Sequence, residues 1–318
     1  MFNIAYVFPG QGSQSIGMLS ELADHHSQIV DVFSEVSDKL GYDLWALVQQ
    51  GPDSQLNQTE YTQAAMLTAD VAVFQVLKKA GFPKAHLMAG HSLGEYAALT
   101  AANALSLTDA ARLVSRRGQI MQQSIPMGQG AMAAIVGLSD EQVSQLCQQA
   151  SDAQEKVTPA NYNAIGQVVI AGHTEAVQRA VTMAEEMDAR LAKIIPVSVP
   201  CHCPLLSDAA EQFAECLAET NFRVPETAVI SNVDLSIYQS PEQMRTLLKE
   251  QLYSPVRWVE TIQLMKNKQT HLVIECGPGK VLSGLVKRID KTLAASSIYD
   301  QISLEQALGS LTTNEHCQ

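Results

Sequence analysis

Hydrophobic and polar residues follow two periods along this chain, and the two periods predict different elements. Short apolar runs that end in turn residues predict strands at residues 3–8, 85–89, 229–233 and 271–275. Apolar residues repeat at helical spacing in longer stretches, at residues 20–39, 62–80, 93–102, 109–123, 205–217, 241–251 and 280–289. Strands that alternate with helices in this way favour an α/β fold built on a parallel sheet.

The middle of the chain has a different rhythm. Strand patterns at residues 131–136, 157–162, 167–171 and 192–199 enclose helical patterns at 139–150 and 174–188. The resulting order, βαββαβ, is typical of a ferredoxin-like unit. We therefore predict a large α/β subdomain from residues 1–127 and 199–318, with a ferredoxin-like subdomain, residues 128–198, inserted into it. A cleft between two such units is a common place for a substrate.

Residues 90–94 (GHSLG) join a predicted strand to a predicted helix. Glycines on both sides of Ser92 allow a strained turn, which is the context of a nucleophile elbow in α/β-hydrolase-like folds. Such a turn would expose the Ser92 hydroxyl beside the first N–H groups of a helix. An ordinary glycine-bounded turn is the alternative interpretation.

Arg117 interrupts the apolar stripe of the helix predicted at residues 109–123, which we expect Thr108 to cap. It lies three residues after Val114 and four before Met121, so it shares their face. A guanidinium cannot shed its charge, so an inward arginine must meet an anion or a set of acceptors. Two interpretations stay open at this point: a site for a carboxylate ligand, and a structural ion pair with Asp or Glu.

His202 lies in a proline-bounded loop, residues 200–204 (PCHCP), where the chain re-enters the large subdomain. It is the best placed of the eight histidines to serve Ser92, although a lone histidine is more often structural. The neighbouring Cys201 and Cys203 invite a zinc interpretation. Adjacent side chains of an extended segment point to opposite faces, so we expect no metal there.

Composition narrows the function further. The 318 residues are 46% hydrophobic and 17% charged, which is ordinary for a globular protein, and the formal net charge of −12 argues against nucleic acid and anionic membranes as partners. The six cysteines form no C-x-x-C pair and suggest reduced thiols. We expect no secretory leader and no membrane span, hence a cytoplasmic location.

Two nucleotide motifs are incomplete near the N-terminus. Gly10 and Gly12 begin a dinucleotide pattern whose third glycine is replaced by Ser15. Residues 12–17 have the spacing of a phosphate-binding loop, but Met18 and Leu19 replace its lysine and its serine or threonine. The remaining loop offers exposed amides around Gln11, which would suit a developing oxyanion.

With the elbow, the inward arginine and the late histidine in place, the sequence resembles the malonyl-CoA:acyl carrier protein transacylases of bacterial type II fatty acid synthesis. The resemblance extends over nearly the whole chain and is carried by residues 8–14 (FPGQGSQ), 90–96 (GHSLGEY), 166–172 (GQVVIAG), 196–203 (PVSVPCHC), 251–256 (QLYSPV) and 277–281 (GPGKV).

The resemblance implies a role for each candidate residue. Ser92 would be the nucleophile and His202 its base, and the main-chain carbonyl of Gln251 would orient the imidazole. The amides of Gln11 and Leu93 would form the oxyanion hole. Two further residues would contact the substrate: Arg117 would bind the malonyl carboxylate, and Asn163 would line the cleft.

The implied reaction is a ping-pong transfer from malonyl-CoA, with no permanently bound cofactor, to the phosphopantetheine thiol of acyl carrier protein. Carrier proteins are acidic, so we expect docking at the densest basic cluster of the chain, Lys280, Lys287, Arg288 and Lys291, whose alternative is simple solvation. Two departures from the family pattern, Cys201 in place of serine and residues 161–166 (NYNAIG), bear on acyl selectivity. The rival functions are a serine esterase or thioesterase and a non-catalytic binding module.

Overall fold

The fold is organised around nine strands in a computed structural model that describes residues 2–126, 128–197 and 199–315. In chain order these strands are β1 (Ile4–Phe8), β2 (Leu87–Gly90), β3 (Gly130–Val136), β4 (Val157–Ala164), β5 (Gln167–His173), β6 (Leu191–Ile195), β7 (Ala228–Ile230), β8 (Leu272–Cys276) and β9 (Ala294–Ile298).

Five of these strands form a parallel sheet in the order β7-β2-β1-β8-β9. β1 lies at its centre, with Tyr6 opposite Met88 of β2 and Ile274 of β8. All five residues of β1 are buried, as expected for a parallel strand covered by helices on both faces. The carboxyl ends of β1, β2, β7 and β8 therefore meet at one edge, where open α/β sheets usually hold their ligands.

Fourteen helices are described around the sheets. They are α1 (Ser20–His25), α2 (Gln28–Leu40), α3 (Leu44–Gln50), α4 (Asp53–Leu56), α5 (Thr59–Lys79), α6 (Gly94–Ala101), α7 (Leu107–Ser124), α8 (Asp140–Ala150), α9 (Thr174–Glu186), α10 (Ser207–Glu219), α11 (Pro241–Glu250), α12 (Trp258–Asn267), α13 (Val281–Ile289) and α14 (Gln301–Glu315). A short 3₁₀ turn at Pro204–Leu206 precedes α10.

α5 is the central helix of the large unit. Most of its length is buried, from Thr59 to Leu77, and only its last turns reach solvent. The burial follows from the apolar residues that cover most of its surface.

The second sheet is antiparallel, with strand order β4-β5-β3-β6, and it carries α8 and α9. This is the ferredoxin-like arrangement, so the predicted fold class is confirmed. The predicted subdomain boundaries fall on Met127 and Ser198, which lie outside the described residues, and the division at 127/128 and 198/199 stays a prediction. Two backbone hydrogen bonds of Val256, to Ala160 O and from Tyr162 N, both 2.9 Å, join β4 to the large unit.

Several local predictions were wrong. The helix predicted at residues 20–39 is two helices, because His26 leaves helical geometry with φ −135°. α7 is capped by Ser106, whose Oγ accepts from the Asp109 amide at 3.1 Å, and not by Thr108. β9 and α12 were missed. The sequence of β9, AASSI, is short and holds one β-branched residue, so its strand signal is weak.

One buried acid stands out in the core. Asp70 of α5 is fully buried, and neither of its carboxyl oxygens has a hydrogen-bond partner among the described residues. Burial, reinforced by the nearby Glu275 carboxyl, raises the pKa of Asp70 well above its ordinary value. The folded protein therefore holds Asp70 protonated at pH values where the unfolded chain ionises it.

This difference predicts a pH-dependent effect of Asp70→Asn. An acid whose folded pKa is raised contributes fully to stability only below its unfolded pKa of about 3.9, and that contribution falls as pH rises toward the folded pKa. Asparagine cannot ionise. As pH rises, the free energy of unfolding of the variant should therefore increase relative to that of the wild type, by up to about 1.4 kcal/mol per pH unit. Urea unfolding across pH measures it.

The matched control is Asp24→Asn on the exposed face of α1. Its stability difference from the wild type should stay nearly constant over the same pH range. A constant difference for Asp70→Asn as well would show that the buried carboxyl ionises in the folded protein.

Candidate active site

Ser92 lies at the carboxyl end of β2, in a tight turn that leads directly into α6. Its φ of 53° is in the left-handed region, which costs a non-glycine residue energy and is typical of functional turns. The turn also needs its glycines. A Cβ on Gly90 would overlap the backbone of Gly94, and a Cβ on Gly94 would overlap the Phe8 carbonyl of β1. The glycines predicted to allow an elbow therefore do so by permitting close backbone contact.

Asn232, in the loop after β7, clamps this turn from the side. Its Oδ1 accepts from the Ser92 amide at 2.7 Å, and its Nδ2 donates to the Gly90 carbonyl at 2.7 Å. Asn232 is fully buried, so both bonds are shielded from water. The clamp holds Ser92 in its strained conformation and occupies its N–H group.

Ser92, His202 and Gln251 form one line of hydrogen bonds. Ser92 Oγ lies 2.7 Å from His202 Nε2, and His202 Nδ1 lies 2.8 Å from the main-chain oxygen of Gln251. A carbonyl oxygen only accepts, so Nδ1 carries the imidazole proton and Nε2 is free to accept from the serine. The arrangement has the geometry of a nucleophile, a base and a group that orients the base.

The imidazole of His202 is held neutral. Burial, followed by the positive charge of Arg117, lowers the pKa of His202 to about 3. Only 3% of the residue is exposed, and its own amide donates to the Leu252 carbonyl at 3.0 Å. The histidine is therefore fixed and unprotonated before any substrate arrives.

Arg117 points inward from α7, as its position on the apolar stripe predicted. It is 2% exposed, and two of its nitrogens donate to side-chain oxygens: Nη1 to Gln63 at 2.9 Å and Nη2 to Gln251 at 3.0 Å. The Tyr96 ring lies 5.6 Å from the guanidinium carbon. Among the described residues, Arg117 forms no salt bridge, and its Nε has no partner.

Glu95, in the first turn of α6, completes a buried network behind these residues. Its carboxylate accepts from Gln251 Nε2 and from the Tyr238 hydroxyl, both at 2.6 Å. Burial raises the pKa of Glu95 to about 7, against the opposing effects of those hydrogen bonds and of the Arg117 charge. The Gln251 side chain thus lies between a buried cation and a buried acid.

Two further residues, both candidates for the oxyanion hole, line the same cleft as the serine. Gln11, in the loop after β1, and Leu93, beside the start of α6, both line it, and within the described part of the chain neither amide has an acceptor. The Gln11 side chain reaches Thr59 Oγ1 at 3.4 Å. Asn232 already occupies the Ser92 amide, so the Gln11 and Leu93 amides stay the candidates for the oxyanion hole.

The cleft has a volume of about 450 Å³ and lies between the two sheets. Asn163 of β4 is on its wall, and its Oδ1 lies 2.8 Å from His91 Nε2. His91 also packs edge-on against Trp258, with ring centroids 5.4 Å apart. The structure therefore places all seven predicted site residues on or directly behind one cleft, and Asn163 contacts the His91 side chain there.

Burial favours the protonated thiol in both cysteines beside His202. Burial raises the pKa of Cys201 to about 11 and that of Cys203 to about 12. In the described residues no three His, Cys, Asp or Glu side chains converge in a way that would hold a metal ion, and no helix there is long and apolar enough to cross a membrane.

Three residues of this site were missed by sequence reasoning: Gln63, Glu95 and Asn232. Glu95 had a usable signal, because it is the one charged residue of an otherwise apolar helix, α6. Asn232 follows a strand next to β2, where side chains at the carboxyl edge converge. Gln63 had a weaker signal, as a polar residue in the mostly apolar α5.

Comparison with known proteins finds relatives that match nearly the whole chain. The sequence model of the acyl transferase domain family matches residues 5–316. The malonyl CoA-acyl carrier protein transacylase of Escherichia coli K12 is 46% identical over 97% of this chain and 99% of its own length. The Bacillus subtilis protein of the same name is 39% identical, over 98% of both chains.

Solved structures agree in fold. An acyl carrier protein S-malonyltransferase from Vibrio cholerae has a TM-score of 0.93 at 48% identity, over 96% of this chain and 99% of its own. A malonyl-transacylase solved in complex with a type II polyketide synthase acyl carrier protein has a TM-score of 0.95 at 46% identity, over 97% and 99%.

Proposed function

The chain belongs to the acyl transferase family, in its malonyl CoA-acyl carrier protein transacylase branch, and we propose that it works through a malonyl-serine intermediate. It transfers a malonyl group from malonyl-CoA to acyl carrier protein in fatty acid synthesis. The observation that carries the proposed mechanism is the Ser92–His202–Gln251 line of hydrogen bonds at the foot of the cleft.

In the first half-reaction, Ser92 Oγ attacks the thioester carbonyl of malonyl-CoA while its proton passes to His202 Nε2. The carbonyl oxygen becomes an oxyanion, which the amides of Gln11 and Leu93 stabilise. The carbon–sulfur bond then breaks, the sulfur of coenzyme A takes the proton from Nε2, and malonyl remains esterified to Ser92. The Gln251 carbonyl holds Nδ1–H throughout and fixes the tautomer.

The second half-reaction repeats these steps in reverse. The phosphopantetheine thiol of the carrier protein gives its proton to Nε2 and attacks the malonyl ester, and Ser92 leaves as it recovers a proton. Water on the same path would release free malonate, so a narrow cleft favours transfer over hydrolysis. Asn163, on the cleft wall, contributes to shaping the acyl site.

Arg117 binds the free carboxylate of the malonyl group in this mechanism. A buried guanidinium with two amide partners and a free Nε has donors to spare for a carboxylate. Of the two interpretations that the sequence left open, the lack of a salt bridge to Arg117 among the described residues supports this one. A bound carboxylate would also offset the positive charge that lowers the pKa of His202, and the base would strengthen when the correct substrate is present.

The carrier protein docks, in our proposal, beside α13. Lys280 immediately precedes Val281 and Leu282, which line the cleft, and Lys287, Arg288 and Lys291 follow on the same helix and just beyond it. All four basic residues are exposed. In a chain with a net charge of −12, this local patch is a suitable surface for an acidic partner.

The acyl-serine intermediate is tested by intact mass after brief incubation with malonyl-CoA. The wild type should gain one malonyl group, and Ser92→Ala should gain none, because the hydroxyl oxygen is the attacking atom. Addition of carrier protein should transfer the group to its thiol, whereas an esterase or thioesterase would release free malonate. An unmodified wild type, or an adduct that persists in Ser92→Ala, contradicts the mechanism.

Arg117→Ala should change acyl selectivity. Loss of the charged partner of the carboxylate costs about 1.5–3 kcal/mol, so the ratio of malonyl to acetyl kcat/KM should fall about tenfold or more, with acetyl transfer gained. Arg116→Ala is the matched control, since Arg116 is exposed and donates to Gln119 on the outer face of α7. Unchanged selectivity in Arg117→Ala would assign the residue a structural role.

Charge reversal at the basic patch, Lys280→Glu combined with Lys287→Glu, should raise the KM for acyl carrier protein at low salt. Rim charges act on encounter rates and are screened by ions, so the effect should shrink at high salt. The rate at which malonyl-CoA malonylates Ser92 in the absence of carrier protein should change less than the KM for carrier protein. Lys78→Glu, at the exposed end of α5, is the control, and an unchanged rate with carrier protein would exclude this docking surface.

A further inference from the structure

Arg117 carries a full charge inside the protein, and no carboxylate of the described residues contacts it directly. A buried charge without a compensating charge is energetically costly. An anion that is linked to Arg117 through one intervening side chain is therefore expected to stabilise it. That anion is Glu95, which is fully buried and reaches Arg117 through a single side-chain amide, that of Gln251.

The orientation of this amide follows from its partners. The guanidinium of Arg117 only donates, so Gln251 Oε1 must face it, at 3.0 Å from Nη2. Gln251 Nε2 faces two groups that accept, Glu95 Oε2 at 2.6 Å and the Ser92 carbonyl at 3.0 Å. The amide dipole is therefore aligned between a cation and an anion, and it couples them electrostatically.

We propose that Glu95 is a specificity-determining positioning residue: through Gln251 it is the internal counterion of Arg117, and it competes with the substrate carboxylate for that charge. The inference rests on the proposed function. An ionised Glu95 weakens the hold of Arg117 on a malonyl group, and a neutral Glu95 strengthens it. The charge of Glu95 should not affect the binding of a donor without a carboxylate, such as acetyl-CoA.

Attenuated binding suits a transferase. The malonyl group must leave Ser92 for the next thiol, so an arginine with no internal competitor would hold the intermediate too firmly. Glu95 limits that affinity without blocking access to Arg117, because it approaches from the side of Gln251, while Arg117 lines the cleft.

The groups around Glu95 make its protonation state measurable near neutral pH. Burial raises the pKa of Glu95 to about 7, while the pKa of His202 is lowered to about 3. The other titratable groups that face it are Tyr238 and Tyr96, whose pKa values are raised by burial, and Arg117. His91, a further titratable neighbour of His202, has its pKa lowered by burial. Glu95 is thus the group in this network that changes charge near neutrality.

The test compares acylation of Ser92 by malonyl-CoA and by acetyl-CoA in the wild type and in Glu95→Gln. Glutamine keeps an oxygen toward Gln251 Nε2 and turns its amide nitrogen toward the Tyr238 hydroxyl, which is able to accept. At about pH 8 the malonyl-to-acetyl ratio of kcat/KM should rise about tenfold, the size expected for one unit charge a side chain away. The change should appear mainly in the KM for malonyl-CoA.

The pH profile adds a readout that a structural role would not produce. In the wild type, the malonyl-to-acetyl ratio of kcat/KM should rise as pH falls through about 7. At about pH 6, where the Glu95 carboxyl is neutral, it should equal the ratio for Glu95→Gln. The ratio for Glu95→Gln should be flat, and in an Arg117→Ala background the substitution should leave the ratio unchanged. Glu226→Gln, an exposed glutamate bonded to Asn103, is the charge control.

An equal loss of both acylation rates in Glu95→Gln, or an unchanged ratio at about pH 8, would overturn the inference. Should the variant fail to fold, the wild-type profile decides alone, and a ratio independent of pH overturns it. The failure of the proposed function looks different: a wild type that gains no malonyl group on Ser92.

Discussion

The buried positive charge of Arg117, which no carboxylate in the described part of the chain contacts, is the constraint on which the site depends. Water cannot solvate it, so the fold supplies two amide oxygens and an aromatic face, from Gln63, Gln251 and Tyr96. The same charge lowers the pKa of His202 and helps to keep Glu95 ionised. Burial is the largest cause of both pKa shifts, and the guanidinium adds to the shift at His202 and opposes the shift at Glu95.

The backbone conformation at Ser92 depends on close packing and hydrogen bonds, and not on charge. Gly90 and Gly94 bring the turn against β1, and Asn232 fixes the resulting strained conformation through both of its side-chain polar atoms. A strained φ persists only where the surrounding structure fixes it. At Ser92 that surrounding structure belongs to three strands of the parallel sheet, β1, β2 and β7, and the loops that follow them. The proposed nucleophile is therefore held by the sheet itself, which explains its rigid position at the foot of the cleft.

Much of this was available from the sequence, because the signals are local. The period of the apolar residues predicted both sheets, the glycine spacing predicted the turn at Ser92, and the stripe on α7 predicted that Arg117 points inward. The contacts among Gln63, Glu95, Asn232 and Gln251 were not predictable in the same way. These residues come from α5, α6, the loop after β7 and the end of α11, and only the packed fold brings them together. Weak local patterns, such as AASSI in β9, were missed because neighbouring strands stabilise them more than their own sequence does.

The carbonyl behind His202 also follows from the buried arginine. In most serine triads an aspartate orients the histidine and stabilises its positive charge. In the proposed mechanism, an aspartate in place of the Gln251 carbonyl would add an anion close to the guanidinium. That anion would compete with the malonyl carboxylate for the charge of Arg117. The Gln251 carbonyl fixes the tautomer without adding an anion, and the Gln251 side chain passes the attraction of Glu95 to Arg117 in attenuated form. In this proposal, Gln251 orients the base through its main chain and tunes the carboxylate site through its side chain. An acid behind the histidine would strengthen the base and weaken the selection of malonyl.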